Sequence, residues 1–227
     1  MKNEKSESLS NPSLALNKGD LERHWLKTNY EVVGVDEVGR GCIAGPVVTA
    51  AVKLNYEAVF ALPHEKLKLI RDSKKLSSKQ RQNIITTIKD CSLLLGIGSA
   101  TVHEIERFGI VPATFLAMRR ALAPLSLSQN SMILVDGRDT IPEITSPQKA
   151  IIGGDGLCYC IAAASILAKE SRDAFMRSQD KKYPDYGFEK NMGYGTAKHI
   201  EGLKKAGISP LHRKNFAPIR QMINHAQ

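Results

Sequence analysis

The sequence predicts an α/β fold: a mixed five-stranded sheet flanked by helices, followed by a helical C-terminal extension. Two observations lead to this prediction. The first half of the chain carries three strand-like apolar segments with a capped helical pattern among them. The second half continues with two helical patterns, then a strand, a loop, a strand and a long helical pattern, and ends in a basic segment that is predicted to be helical.

The strand predictions rest on apolar runs and the turn residues that bound them. Residues 30–38 carry several valines, and residues 47–54 read V-V-T-A-A-V-K-L after a Gly-Pro turn. So short a connection makes these two strands antiparallel neighbours. Residues 92–100 form the third strand. The run S-M-I-L-V at 131–135 is typical of a buried parallel strand, and a short fifth strand begins at 150–152.

Helices are predicted from capping residues and apolar periodicity. Ser77 with Gln80 three residues later forms a capping box, which starts a helix that reaches about Asp90. Further helices are predicted over residues 102–108, 112–123, 155–179 and 196–206.

The two ends of the chain differ from its middle. Residues 1–28 are polar and lack the apolar core of a signal peptide, which predicts a flexible tail before one folded domain at 29–227. Residues 181–227 hold nine Lys or Arg against three acidic residues, together with five of the twelve Phe and Tyr residues. Cations interleaved with rings slightly favour a nucleic-acid partner over a merely solvated basic face.

Composition also bounds the location of the protein. No apolar run approaches the roughly 18 residues that span a bilayer. The four cysteines fit buried free thiols better than a disulfide framework or a zinc site. We therefore expect a cytoplasmic protein and, because no spare apolar stripe is evident, a monomer.

Acidic residues recur at the ends of the apolar elements. Asp36 and Glu37 end the first strand, Asp136 follows the fourth, and Asp155 begins the long helix. If the first and fourth strands are parallel neighbours, their carboxyl ends open into one crevice. Two Mg²⁺ ions would relieve the repulsion among clustered carboxylates. Taken singly, Asp155 is equally consistent with a helix cap and Asp136 with a turn.

The two adjacent acids raise a geometric difficulty. Successive strand residues point to opposite faces, so Asp36 and Glu37 can line one crevice only if the backbone bends at this point. Gly39 and Gly41 make such a bend easy and let backbone N–H groups approach a ligand, while Arg40 can grip a phosphate.

Taken together, the motifs of this chain resemble those of bacterial ribonuclease HII. They occur over residues 30–219 as V-D-E-V-G-R-G (35–41), D-S-K-K-L (72–76), V-D-G (135–137), G-G-D (153–155), A-A-S-I-L-A-K-E-S-R-D (163–173), Y-P-x-Y-G-F (183–188), G-Y-G-T (193–196) and H-R-x-x-F (212–216). The set in this order is specific, although each motif alone is weak. The sister enzyme ribonuclease HIII would carry another residue in place of Arg40 and an N-terminal domain, for which the roughly 30 preceding residues leave no room.

The resemblance implies a ribonuclease H-like catalytic domain at 29–227, whose extension from about 181 to 227 binds substrate. It implies a metal-dependent endonuclease that cuts the RNA strand of RNA–DNA hybrids and incises 5′ of single ribonucleotides embedded in duplex DNA. The products would carry a 3′-hydroxyl and a 5′-phosphate. Two Mg²⁺ or Mn²⁺ ions are the implied cofactors, and no histidine is needed as a base.

Family roles carry over to matching positions. The metal-binding carboxylates match Asp36, Glu37 and Asp136, and the fourth catalytic acid matches Asp155. The loop that reads the ribose 2′-hydroxyl and the adjacent phosphate matches Gly39, Arg40 and Gly41, and the tyrosine that packs on the sugar matches Tyr194. Backbone phosphates are expected at Lys74, Lys75 and Lys169, with Lys198, Arg213 and Lys214 as further candidates. Met192 stands where the family often has a lysine.

Two other functions stay open at this point. One is a non-catalytic nucleic-acid-binding module whose acids are only caps and turns. The other is a nucleotide-binding enzyme that uses G-R-G as a phosphate loop, although neither G-x-G-x-x-G nor G-x-x-x-x-G-K-[ST] is present.

Overall fold

The computed structural model describes residues 17–71 and 77–224. Its elements in chain order are α1 (Asp20–Lys27), β1 (Glu31–Val38), β2 (Val47–Leu54), α2 (Tyr56–Phe60), α3 (His64–Leu67), α4 (Ser78–Asp90), β3 (Ser92–Ala100), α5 (Val102–Phe108), α6 (Ile110–Leu122), β4 (Ser131–Asp136), β5 (Gln148–Ile151), α7 (Gly154–Leu157), α8 (Tyr159–Asp180), α9 (Phe188–Asn191), α10 (Ala197–Ala206) and α11 (Ala217–Asn224).

The strands of the described chain form one mixed five-stranded sheet in the order β3-β2-β1-β4-β5, which confirms the predicted fold class. β1 is antiparallel to β2, as predicted, and parallel to β4. In the parallel pair Val35 is opposite Val135, so Asp36 and Asp136 are the next residues on two adjacent strands. The two acids therefore lie at the same end of the sheet.

Helices cover the sheet on both faces because alternate strand residues are apolar on both sides. Val32 packs in the layer under α8, whereas Val33 and Val35 pack in the layer under α6. At Gly34 the backbone of α8 comes so close that a Cβ atom would collide with the main chain of Cys160 and Ile161. This close approach sets the distance between α8 and the strand that carries the first two acids.

The predicted flexible tail over residues 1–28 is too long. Residues 1–16 lie outside the described part of the chain, but α1 is a packed helix with Leu21 and Glu22 buried. The Glu22 carboxylate accepts the backbone N–H groups of Tyr159 and Cys160. These are the first N–H groups of α8, which have no partner within their own helix. Helix α1 therefore caps α8.

The long helix predicted over residues 155–179 is two helices. Cys158 is extended, with φ −121° and ψ 135°, between the single turn of α7 and the 22 residues of α8. Nothing in the local sequence marks this break, because the cap comes from Glu22 at a distance of 137 residues along the chain. The short helices α2, α3, α9 and α11 were also not predicted, whereas the capping box of Ser77 and Gln80 is confirmed.

The C-terminal extension has its own apolar core, which also includes residues of the β1–β2 loop and of α8. Its buried members are Ile43, Ala44, Met176, Tyr186, Phe188, Leu203 and Ile219. The extension is therefore packed onto the loop that follows the first two acids.

Two further observations bear on the predictions. All four cysteines are buried and free, as predicted. In the described residues no helix has the length and apolar character needed to cross a membrane. The prediction of a monomer rested on the absence of a spare apolar stripe, but the edge strand β3 exposes Leu93, Leu95 and Ile97.

The close approach at Gly34 can be tested by substitution. We expect Gly34→Ala to lower the free energy of unfolding by about 1–3 kcal/mol, because the backbones of β1 and α8 must separate to admit the methyl group. The matched control is Gly156→Ala in α7, where a Cβ atom meets nothing within 4 Å; its stability should be unchanged or higher by up to about 1 kcal/mol. Urea unfolding measures both, and equal decreases would contradict the close approach.

Candidate active site

Asp36, Glu37 and Asp136 meet at the carboxyl end of the parallel pair β1–β4. Asp36 Oδ1 accepts the N–H of Glu37 at 2.7 Å, and the side chain of Ser165 on α8 also hydrogen-bonds to the Asp36 carboxylate. Glu37 Oε1 accepts a hydrogen bond from Arg40 at 3.3 Å. The first two acids are thus each held by a donor from a neighbouring element or loop.

These carboxylates repel one another in a partly desolvated setting. Asp36 is 5% exposed, and burial raises the pKa of its carboxyl well above the usual range, with a further increase from the negative charges of Glu37 and Asp136. Burial also raises the pKa of Glu37, which the Arg40 guanidinium partly offsets. A cluster of this kind stores unfavourable energy that a bound cation would relieve.

The backbone bend predicted at Asp36 and Glu37 is wrong in position. β1 stays paired with β2 through Val38, and the chain turns only at Gly39, where φ is 96°. Asp36 faces α8, whereas Glu37 lines a cleft of about 30 Å³ beneath α6 together with Asp136. The charge of Asp136 raises the pKa of both acids, because the pairing of β1 with β4 ends before Asp36 and Asp136 lies beyond the part of β4 that pairs with β1.

Asp155 directly follows Gly154, whose backbone N–H is hydrogen-bonded to the Asp136 side chain. The N–H of Gly154 donates to Asp136 Oδ1 at 2.7 Å, and Asp155 is in the first turn of α7. Lys18, just before α1, donates to the Asp155 carbonyl oxygen at 2.7 Å. The backbone of the fourth predicted acid is therefore fixed beside the third and tied to the N-terminal helix.

The G-R-G loop is held from behind by two buried arginines. Arg172 of α8 donates to the carbonyl oxygens of Pro46, Met192 and Ala44 at 2.9, 2.7 and 3.0 Å. Arg213 donates to the Gly45 oxygen at 2.9 and 2.7 Å and to the Arg40 oxygen at 3.0 Å. Both side chains are fully buried.

The front of the same loop is open. Arg40 and Gly41 are exposed, and a Cβ atom at Gly41 would meet nothing within 4 Å. At Gly39, in contrast, a Cβ atom would collide with the Arg172 side chain. The loop therefore presents one guanidinium and one uncovered stretch of backbone on a rigid support.

Tyr194 belongs to the same rigid unit. The Gly193 carbonyl oxygen accepts the N–H groups of Ile43 and Ala44 at 3.0 and 3.2 Å, which ties the G-Y-G turn to the G-R-G loop. The Tyr194 side chain is 42% exposed. The structure thus brings an accessible ring next to the loop that follows Asp36 and Glu37, although the two motifs lie about 150 residues apart in the sequence.

The predicted phosphate-binding side chains have different outcomes. Lys74 and Lys75 lie outside the described residues. The Lys169 ammonium is bonded to Asp173 at 2.6 Å and its side chain is only 15% exposed. Arg213 is wrong as a surface phosphate ligand, because burial places it under the loop and lowers the pKa of its guanidinium to about 10. Lys198 and Lys214 are exposed.

Two structural residues were not singled out from the sequence. Ser165 and Arg172 both occur in the motif at 163–173, where the first faces Asp36 and the second supports the G-R-G loop. A polar residue within an otherwise apolar helical run is the signal that could have found Ser165. Arg172 was not recognisable, because a cation within a helical pattern usually indicates a solvated face.

The donor set of the site fits a hard divalent cation, since it consists of carboxylate oxygens that repel each other. Within the described ranges, however, no three Asp, Glu, His or Cys side chains are already arranged around one point where an ion could sit. The reason is visible in the hydrogen bonds: Glu37 is turned to Arg40, and Asp136 is turned to the N–H of Gly154. Holding an ion requires these side chains to rotate toward a common point.

A second cavity is larger, but the described residues that line it include no carboxylate to hold a metal ion. It measures about 430 Å³ and is lined mainly by apolar groups between β3 and α8, including Ile97 and Phe175. None of the predicted site residues that the structure describes lines it. The small cleft at Glu37 and Asp136 instead includes the exposed Arg40, so a polymer that lies across the surface can reach it.

A mixed sheet with carboxylates clustered at the end of its central parallel pair, beside an open basic loop, defines a ribonuclease H-like nuclease. The family model "Ribonuclease HII" matches residues 33–219. The chain is 50% identical over 194 residues to a ribonuclease HII of Gluconobacter oxydans, which covers 85% of this chain and 90% of that protein. It therefore belongs to the ribonuclease HII family and is a type II ribonuclease H, an endonuclease.

Solved structures agree with this fold. The ribonuclease H2 of Pyrococcus horikoshii matches with a TM-score of 0.72 at 23% identity, over 86% of this chain and 98% of that chain. A Bst-RNase HIII in complex with Mn²⁺ matches with a TM-score of 0.66 at 17% identity, over 87% of this chain and 70% of that one. At these identities the likeness supports the fold.

The support of the G-R-G loop by Arg213 predicts a specific loss of stability. Lysine keeps the charge but cannot reach Gly45 and Arg40 together, so we expect Arg213→Lys to lower the free energy of unfolding by about 2 kcal/mol. Arg220→Lys on the exposed face of α11 is the matched control and should change it by less than about 0.5 kcal/mol. If denaturant unfolding finds the two variants equally stable, the loop does not depend on Arg213.

Proposed function

We propose that this chain incises duplex DNA on the 5′ side of single embedded ribonucleotides, as well as cutting the RNA strand of RNA–DNA hybrids, and that it uses Mg²⁺ or Mn²⁺. One observation carries the proposal: a rigid loop presents Arg40, Gly41 and the Tyr194 ring on the surface directly after the strand end that bears Asp36 and Glu37. A loop suited to recognising the ribose thus lies next to a carboxylate cluster suited to hydrolysis.

Each part of the loop would contact one feature of a ribonucleotide. The 2′-hydroxyl alone distinguishes RNA from DNA at a single residue, and it needs donors and acceptors brought close to it. Gly41 leaves the backbone uncovered for that interaction. The Arg40 guanidinium would leave Glu37 and bind the adjacent phosphate, and the exposed Tyr194 ring would pack against the sugar.

The carboxylates would position two divalent ions, with Asp36, Glu37 and Asp136 as ligands and Asp155 as the fourth acid. When bound, such ions activate water and stabilise the departing 3′-oxygen, so that 3′-hydroxyl and 5′-phosphate ends result. Ser165 keeps Asp36 aimed at the sheet end. Movement of Arg40 to the phosphate would free Glu37 to turn toward an ion. Lys169 could bind a backbone phosphate only after leaving Asp173.

Removal of one carboxylate separates cleavage from binding. We expect Asp36→Asn to abolish nicking of a duplex that holds one ribonucleotide, while its affinity for that duplex stays the same or rises because a negative charge is removed. Asp90→Asn, at the exposed end of α4, is the control and should cut normally. Gel mapping of the nick and a binding titration measure the two properties. Normal turnover by Asp36→Asn would refute the assignment.

The same gel, run with and without EDTA, decides between the alternatives. A non-catalytic binding module would bind the duplex and leave it intact under both conditions. A nick 5′ of the ribonucleotide that EDTA suppresses supports the proposal.

Metal binding should also be visible in stability. Burial and two neighbouring carboxylates raise the pKa of Asp36, so this group makes folding less favourable at neutral pH than at a pH below the ordinary pKa of an aspartate. We expect Asp36→Asn to unfold at a higher temperature than the wild type in EDTA. Mn²⁺ at about 100 times its Kd should raise the wild-type Tm by roughly 5–10 °C.

In Mn²⁺ the wild type should therefore have the higher Tm, because the Tm of Asp36→Asn should rise much less when the ion is added. Thermal scans of both proteins with EDTA and with Mn²⁺ measure this. An equal increase in both proteins would show that the ion binds elsewhere.

A further inference from the structure

Two buried histidines lie behind the turn that carries Tyr194. His199 is in the first turn of α10 and His212 is in the segment between α10 and α11, and they are 0% and 1% exposed. Their Nε2 atoms are 2.9 Å apart. His199 Nδ1 is 2.8 Å from the Tyr194 carbonyl oxygen, and His212 Nδ1 is 2.9 Å from the backbone nitrogen of Ser209.

The hydrogen-bond partners at the two ends of this histidine pair determine which nitrogen of each imidazole carries the proton. The Ser209 N–H must donate, so His212 Nδ1 is an acceptor and the proton of this ring is on Nε2. That proton is donated to His199 Nε2, which leaves the proton of His199 on Nδ1. His199 Nδ1–H then donates to the Tyr194 carbonyl oxygen. Both rings are neutral, and they are opposite tautomers.

The surroundings keep the two rings uncharged. Tyr186 and Phe188 pack against them, with the Tyr186 and His212 ring centroids 4.8 Å apart, and the Tyr186 hydroxyl is engaged with the Gly207 carbonyl oxygen. Burial lowers the pKa of both histidines, and for His212 the neighbouring His199 lowers it further, to about 4. The series of hydrogen bonds from Ser209 through the two rings to the Tyr194 carbonyl is therefore intact at neutral pH.

We propose that His199 and His212 are positioning residues that hold the Tyr194 backbone so that its ring is presented beside Arg40 and Gly41. The inference rests on the proposed function, in which this ring packs on the sugar. The Tyr194 carbonyl also accepts the N–H of Thr196 at 2.8 Å, a bond within the same turn. The histidine pair adds a tie from that turn to the Ser209–His212 segment, whose next residue is Arg213 under the G-R-G loop.

Two matched variants of His199 separate positioning from stability. The amide of asparagine occupies the place of Nδ1, so His199→Asn can still donate to the Tyr194 carbonyl but no longer reaches His212. The amide of glutamine reaches the place of Nε2, so His199→Gln can accept from His212 but leaves the Tyr194 carbonyl without this donor. Each variant lacks one bond and keeps one, so thermal scans should show similar decreases in Tm.

The two variants should differ in substrate binding. On a duplex with one ribonucleotide we expect His199→Gln to raise KM about tenfold with kcat within about twofold, as when an interaction is weakened equally in the ground and transition states. His199→Asn should keep KM within about threefold of the wild type. The affinity for an all-DNA duplex, measured in EDTA, should not separate the variants. Equal KM values in both variants, or a larger increase in His199→Asn, would overturn the proposal.

A measurement on the unsubstituted protein covers the case in which a variant does not fold. In ¹⁵N-histidine NMR at neutral pH, one buried imidazole should carry its proton on Nδ1 and its partner on Nε2. Identical tautomers, or a protonated ring, would overturn the proposal. If the wild type fails to nick the duplex, the proposed function fails instead, and the NMR result still reports on the histidine pair.

Discussion

The parallel pairing of β1 with β4 is the constraint on which the site depends. It ends at Val35 and Val135, so two acids on β1 and one on β4 lie just beyond the last residues that the two strands pair. Packing in both helical layers fixes this register, because a slip of one residue would turn the valines of each layer into the other and would put a side chain where Gly34 meets α8. The strand cores thus provide the energy that holds like charges together. Burial raises the pKa of Asp36, and the nearby charges of Glu37 and Asp136 raise it further, so the arrangement is unfavourable without a counter-charge.

Helix α8 transmits that constraint to the rest of the molecule. Ser165, Arg172 and Met176 lie along it, at spacings of seven and four residues that place them on one face of the helix. They contact in turn the first acid, the G-R-G loop and the core of the C-terminal extension. Because Gly34 lets this helix approach β1 directly, a shift of α8 would move all three partners together. The length of α8 and its cap from α1 therefore bear on function as well as on stability.

Much of the fold could be predicted, since the strands and the capped helices α4 and α5 carry strong local signals. The predictions failed where distant residues decide the local structure. Glu22 caps the start of α8 from far along the chain, and the helical pattern of that region contains no sign of it. The bend was expected at the acids because alternation forbids both from facing one side, but Asp136 lies beyond the β1–β4 pairing, where its charge acts on Asp36 and Glu37 alike.

For the site, the sequence identified residues that project toward a ligand better than residues that act from behind. Arg40, Gly41 and Tyr194 are exposed as their roles require, whereas Arg213, expected on a phosphate, is buried under the loop. The basic composition of the extension could not distinguish these cases, because an arginine that binds buried carbonyl oxygens and an arginine that binds phosphate are identical in the sequence. Two buried guanidinium groups with carbonyl partners are costly to desolvate. That cost is compatible with a stable domain because the carbonyl groups of a tight, glycine-rich loop would otherwise be buried without donors. The rigidity of the loop and the burial of the arginines are thus one feature, and the open face of the loop depends on the closed one.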